Sequence, residues 1–179
     1  MSGLRTLGTI FICWALTTNE VYAGPFTNKG VMGDLFLSAS VFYAYGMTAG
    51  KEDWAGALQL TSSIVASQLM VEGLKRTVKE ERPNGIDNMS FPSGHSAGAF
   101  SGAMFVHKRY GWKQAIAPYI MSGIVAWQRV EIRAHYTHDV IAGAAVSALF
   151  TWVLVGKHED KIQVSANSES VRLGFKTEF

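Results

Sequence analysis

The sequence predicts an all-α fold, a single bundle of about five main helices with its functional site at one end, and three observations predict it. Five segments rich in Ala, Leu, Met and aromatics each run long enough for several helical turns. Glycine, proline and charge clusters stand between them as breakers. No alternating apolar pattern, internal repeat, low-complexity tract or linker interrupts the middle of the chain. The 179 residues are enough for one domain with a real core and too few for two.

Residues 1–23 read as an export signal: Arg5, an apolar stretch from Leu7 to Leu16, then Val21-Tyr22-Ala23 as a small-residue cleavage site. A lipoprotein anchor at Cys13 is the rival reading, against which Ile12 is bulky for the position before a lipidated cysteine. Cys13 is the single cysteine, so no intramolecular disulfide and no cysteine metal cluster forms. Residues 24–160 form the helical domain, with helices expected over Val31 to Gly50, Trp54 to about Lys75, Ser96 to His107, Trp112 to Gln128 and Asp139 to Val155. Gly50-Lys51-Glu52-Asp53, Arg82-Pro83-Asn84-Gly85, Phe91-Pro92-Ser93-Gly94 and Gly111 separate them, and Pro118 kinks the fourth or sits in its first turns. In the tail, 161–179, Val171, Leu173, Phe175 and Phe179 share one parity, as in a short strand or a loose end.

Composition narrows the partners. Charged residues make up 17% of the chain, below the roughly 25% of an average soluble domain. With 48% hydrophobic content the chain buries enough surface to fold, which excludes disorder. Sixteen Lys and Arg against fourteen Asp and Glu, with no basic run beyond Lys108-Arg109, exclude nucleic acid as an expected partner.

The chemistry-bearing residues lie where helices begin and end: Lys75 and Arg82-Pro83, then Pro92-Ser93-Gly94-His95, then Arg129, His135 and Asp139. Each piece alone has an ordinary reading as a solvated helix-end charge, a serine-capped turn or a surface ion pair. Helix geometry brings them together. The expected helix from Ser96 reverses near Gly111 and the next returns over a similar length of about 20 Å at 1.5 Å per residue, delivering Arg129 beside His95. Ten residues separate Arg82 from Ser93, too few to carry the chain away. Three cations, two histidines, a carboxylate and a Ser-Gly helix N-terminus at one end describe a phosphate site.

Over about Lys75 to Val155 the chain resembles the type-2 phosphatidic acid phosphatase family, which shares its active site with bacterial acid phosphatases and vanadium haloperoxidases. The family pattern is Lys-x6-Arg-Pro, Pro-Ser-Gly-His and Ser-Arg-x5-His-x3-Asp, and the single departure is Gln128 in place of the usual Ser. The resemblance implies a phosphoric monoester hydrolase with His135 as nucleophile, its far nitrogen held by Asp139 across one helical turn. His95 is the candidate general acid, and Lys75, Arg82, Arg129, Ser93 and the Gly94 N–H would hold the phosphoryl oxygens. No metal or other cofactor is implied, since fixed cations take that part. Of the neighbours, His138, Tyr136 and Trp127 are read as rim or wall, Asp87 and Asn88 as a solvated loop, Asp34 as a helix-start charge, and Arg133 and Arg76 as additional positive field.

The expected substrate is a lipid phosphate or pyrophosphate; a soluble periplasmic acid phosphatase, a vanadate-dependent haloperoxidase and a non-catalytic phosphate-binding protein are the alternatives. For membrane spanning, about 20 apolar residues are needed. Val140 to Gly156 offers seventeen uncharged residues, and Val31 to Gly50 offers twenty containing only Asp34. Gln59, Ser62, Ser63, Gln68 and Glu72 fit a soluble core helix better. Lys51, Lys108, Arg109, Lys113 and Lys157 gather opposite the site, as positive-inside topology requires. With a mean hydropathy of +0.12, a membrane-associated envelope protein with a periplasm-facing site is expected.

Overall fold

The computed structural model describes residues 28–158, with side chains from Gly33 onward, and the backbone of two strands in the tail. The expected export signal and Cys13 lie outside the described residues. Five helices follow one another: α1 Asn28–Gly50, α2 Trp54–Val78, α3 Gly94–Tyr110, α4 Trp112–Glu131 and α5 Thr137–Leu154. Beyond them, β1 Ile162–Asn167 and β2 Ser170–Phe175 pair as an antiparallel hairpin in the register Val164↔Leu173.

Local chemistry sets the helix ends. Asp53 caps α2 by accepting from Gly56 N at 2.9 Å, and Lys79 ends it with φ 53°, its N–H returning to Lys75 O. Ser93 caps α3 by accepting from Ser96 N at 3.3 Å, so the helix begins at Gly94, two residues before the expected Ser96. Gly111, at φ 103°, closes α3 and opens α4; an L side chain is strained at that angle, which makes glycine the natural corner. Pro118 lies inside α4 without ending it, buried, and the Ser122 hydroxyl 2.8 Å from both Pro118 O and Ala99 O ties this turn to α3.

The central helix is α3, which packs against each of the other four. Its inward surface is made of Ala97, Gly98, Ala99, Ser101, Gly102 and Ala103, small enough for backbones to approach closely. A Cβ on Gly102 would lie 2.8 Å from Ser40 O of α1, and one on Gly143 of α5 would lie 2.4 Å from Ser93 O. The latter contact seats α5 directly on the Pro-Ser-Gly-His turn. Larger side chains, Leu60, Ile64, Phe105, Val106 and Val155, fill the core farther along the bundle.

On α2 the buried face mixes polar and apolar residues, and the outer face does the same, with Ser62 and Glu72 exposed. Ser63 and Ser67 are buried against the bundle, while Leu58, Val65 and Leu69 face outward. The same holds elsewhere: Ser40, Ser101, Ser122, Ser147 and Thr151 are inside, and Ile116, Ile120, Ile141, Leu149 and Trp152 outside. Among the described residues one helix, Thr137–Leu154, is long and apolar enough to cross a membrane.

At the end opposite the site, Arg109 is buried and donates to Asp53 Oδ2 at 2.5 Å and Oδ1 at 2.7 Å, with Nη1 reaching Gln59 Oε1 and Gly156 O. Tyr110 Oη adds a bond to Asp53 at 2.6 Å. Burial alone would raise the Asp53 carboxyl, but the bonds from Arg109, Tyr110 and the Gly56 N–H outweigh it and hold the group below the usual carboxylate range. Arg109 is thus neutralised internally and drops out of the expected positive surface, leaving Lys51, Lys108, Lys113 and Lys157 there.

Candidate active site

The loop joining α2 to α3 folds back on itself and carries the first two cations inward. Lys75, in the last turn of α2, is buried and donates from Nζ to Met89 O at 3.1 Å. Arg82 is buried with its Nε on Asp87 Oδ1 at 2.7 Å and its Nη1 on Ala134 O at 3.1 Å. Asp87 also accepts from Met89 N, so this residue, expected to be merely solvated, holds the arginine and its loop in shape. Arg76 adds little field, because Glu72 pairs with it at 2.8 Å.

His135 lies in the turn before α5 and is buried. Its Nδ1 is 2.8 Å from Ser90 O, which can only accept, and its Nε2 is 3.2 Å from Arg82 Nη1, which can only donate. These two partners assign the neutral tautomer with the proton on Nδ1 and the lone pair on Nε2, facing the guanidinium. Asp139 differs from expectation in how it acts. Because α5 begins at Thr137, the pair does not lie on one helical turn, and Asp139 Oδ2 is 3.6 Å from His135 Nδ1, beyond a hydrogen bond. That oxygen instead accepts from Ser90 Oγ at 2.5 Å and Tyr136 N at 2.8 Å. It therefore fixes Ser90, whose carbonyl orients the imidazole, and acts on the ring itself through charge.

The Pro-Ser-Gly-His turn is pinned on both sides, with Ser93 N donating to the backbone carbonyl of Asp139 at 3.0 Å and Gln68 Nε2 to Gly94 O at 3.1 Å. Gly94 and His95 open α3, and the first N–H groups of a helix have no partner within it. His95 Nε2 is 3.3 Å from Asp34 Oδ1, and the same oxygen takes Arg129 Nη2 at 2.5 Å. Arg129 is 1% exposed, whereas the Asp34 side chain is 62% exposed. Arg129 and His95 are thus neighbours, as the helix lengths predict, through a carboxylate that sequence reading took for a helix-start charge. Gln128 is buried beside Arg129, and a Cβ on Gly33 would come within 2.3 Å of Gln128 Oε1 and 2.8 Å of Arg129 Nη2. Glycine at 33 is the room that lets glutamine stand where a serine is usual.

Ser90 and Asp34 are the residues sequence reading missed. Asp34 had a weak signal, as the lone charge in an apolar run of twenty residues. Ser90 had none. At the rim, Trp127, Tyr136 and Arg133 are exposed, and His138 stacks on Tyr136 with ring centroids 5.3 Å apart.

A buried imidazole whose Nε2 faces a guanidinium, three guanidinium or ammonium groups and a helix start together suit the binding of a phosphoryl group. Comparison with known proteins agrees. The PAP2 superfamily model matches residues 56–163. A lipid A 4'-phosphatase of Helicobacter pylori is 25% identical over 174 residues, covering 90% of this chain and 87% of that protein. A lipid A 1-phosphatase of Porphyromonas gingivalis is 35% identical over 83 residues, 45% of this chain and 19% of that protein. Among solved structures, Aquifex aeolicus LpxE aligns with a TM-score of 0.57 at 16% identity, covering 84% of this chain and 92% of the other. The first transmembrane PAP2 type phosphatidylglycerolphosphate phosphatase from Bacillus subtilis gives 0.56 at 22% identity, covering 86% and 94%. At these identities the two structures establish a shared fold.

Proposed function

The chain belongs to the PAP2 superfamily, and on that premise we propose that it is a phosphoric monoester hydrolase that removes phosphate from a lipid phosphate or pyrophosphate through a phosphohistidine at His135. The observation that carries this reading is the His135 tautomer, with Nδ1–H on Ser90 O and the Nε2 lone pair 3.2 Å from Arg82. Nε2 attacks phosphorus as the P–O bond to the leaving group breaks. Lys75, Arg82 and Arg129, with Ser93 and the Gly94 N–H, neutralise the equatorial oxygens as charge spreads over them. His95 gives its proton to the leaving oxygen, then takes one from water as that water breaks the P–N bond and releases inorganic phosphate. The Asp34 carboxylate, 3.3 Å from His95 Nε2, holds the ring beside Arg129. Three fixed cations supply the charge that a magnesium ion would otherwise bring, so the reaction as written needs no metal.

The relatives' names, lipid A 4'-phosphatase and lipid A 1-phosphatase, support a phosphate carried on a lipid as the substrate class. The outward-facing apolar residues of α2, α4 and α5, with Ser63, Ser67, Ser122 and Ser147 buried, support a bundle solvated by lipid rather than a soluble periplasmic enzyme. Lys51, Lys108, Lys113 and Lys157 at the far end support a cytoplasmic placement of that end and a periplasm-facing site.

The test is phosphate release by purified protein in EDTA from phosphatidic acid, phosphatidylglycerol phosphate, undecaprenyl pyrophosphate and lipid A, with label quenched in alkaline detergent and traced by peptide mapping at alkaline pH. Base-stable, acid-labile phosphate on the peptide holding His135 is expected, with competitive inhibition by vanadate, which adopts the five-coordinate shape of the transition state. Label on another residue, activity restored only by added metal, or bromide oxidation with vanadate in place of phosphate release would overturn the proposal.

A further inference from the structure

A second cluster adjoins the site and shares Asp139 with it, through the carboxylate oxygen that neither Ser90 nor Tyr136 uses. Glu80, in the loop after α2, and His138 and Asp139, in the first turn of α5, each bring one ligand-type atom within 4.8 Å of the others. His138 Nε2 is 2.9 Å from Glu80 Oε1, 3.2 Å from Glu80 Oε2 and 3.1 Å from Asp139 Oδ1. An ordinary ion pair between His138 and Glu80 leaves one thing unexplained. Asp139 has no exposed side-chain surface, and its Oδ1 accepts no hydrogen bond among the described residues, although it lies 3.1 Å from Nε2. The Nε2 proton goes to Glu80, so a fully buried carboxylate oxygen faces the same nitrogen with no hydrogen between them. Such an atom is costly unless a cation completes it.

We infer that Glu80, His138 and Asp139 form a binding site for one divalent transition-metal ion of the zinc type, and that the ion inhibits the enzyme. One imidazole nitrogen and two carboxylate oxygens are a donor set suited to Zn²⁺, and less so to Mg²⁺ or Ca²⁺, which prefer oxygen alone. Two carboxylates and a neutral imidazole carry a charge that a dication cancels and a proton only halves. Tetrahedral zinc holds neighbouring ligand atoms about 3.4 Å apart, so the two pairs that include Nε2 are nearly at that spacing. His138, with 57% of its side chain exposed, gives the ion a route in and leaves its remaining position to water. Zinc on Oδ1 replaces only the Nε2 proton, and the bonds of Oδ2 to Ser90 and Tyr136 stay in place. The inhibition, which rests on the phosphohistidine reading, arises because a dication on Asp139 cancels the negative charge beside His135 as that ring becomes cationic.

Isothermal titration of the EDTA-stripped, detergent-solubilised protein with Zn²⁺, repeated with Co²⁺ to read visible absorption bands, measures the site directly. Saturation at one ion per chain is expected, with affinity lowered about tenfold or more by Glu80→Gln and by His138→Gln, as for loss of a ligand or its outer partner. Neither residue belongs to the proposed catalytic set, so both variants should keep their metal-free activity, while zinc at a concentration that slows the wild type by about tenfold or more should leave them nearly unaffected. No saturable binding, or binding unmoved by both substitutions, overturns the site. Binding that follows these residues without slowing turnover overturns the inhibition alone. A protein that binds zinc as expected but releases phosphate from no substrate fails the functional reading and leaves the metal site standing.

Discussion

Asp139→Asn removes one negative charge from the site and little else. The amide oxygen of asparagine can still accept from Tyr136 N and Ser90 Oγ, as Oδ2 does at 2.8 Å and 2.5 Å, so the start of α5 and the Ser90 loop are retained. What disappears is a charge 3.6 Å from His135 Nδ1, where the ring becomes cationic once it carries phosphate. At an effective dielectric of about 20, unit charges at that separation interact by about 4.6 kcal/mol, which corresponds to roughly a 2,000-fold loss of rate. The Ser90 carbonyl keeps part of the stabilisation, so kcat should fall by about 10²–10³. KM should move little, because the carboxylate bonds to Ser90 and Tyr136 rather than to the cations. Initial rates in mixed micelles, beside circular dichroism and thermal melting, make the measurement. A folded variant whose kcat stays within about tenfold of the wild type would refute the electrostatic role.

His95→Ala should lose most activity on alkyl phosphates and much less on p-nitrophenyl phosphate, whose leaving group needs little protonation; equal losses would remove the general-acid role. Asp34→Asn weakens the carboxylate link between His95 and Arg129, and kcat on alkyl phosphates should fall by about tenfold, as for loss of a charged hydrogen bond. An unchanged kcat would leave Asp34 without a part in positioning the two. At the far end, Arg109→Met strands the buried Asp53 charge and should cost about 3–5 kcal/mol in denaturation while sparing kcat. Asp53 titrates below its ordinary range, so its contribution is full above about pH 4, its unfolded value, and fades as pH falls towards the folded one. A melting temperature unchanged by the substitution would show the network to be idle.

Helix boundaries were legible because their causes are local. The breaker ending at Asp53, the serine cap at Ser93, the Gly111 corner and the run of apolar segments act within a few residues of where they are read. Helix lengths then sufficed to bring Arg129 near His95 and to gather the cations at one end. Which way α2 turns its serines was not legible, because Ser63 and Leu58 exchange inside for outside according to what packs on the helix and what solvates it.

From sequence alone came the five helices, the order of the three motifs and the residue types of a phosphate site, all properties of short stretches or of simple lengths. The tertiary structure alone decided the partners: Ser90 O on His135 Nδ1, Asp34 between His95 and Arg129, Asp87 on Arg82, and Glu80 facing His138. Ser90 and His135 are 45 positions apart, and Asp34 and Arg129 are 95 apart. A hydrogen bond needs its atoms within about 3.2 Å and well aligned, whereas a helix end can be read only to within one or two residues, several ångströms of path. No pattern of residue types carries that precision, and the backbone contacts made through glycines such as Gly143 and Gly33 supply it.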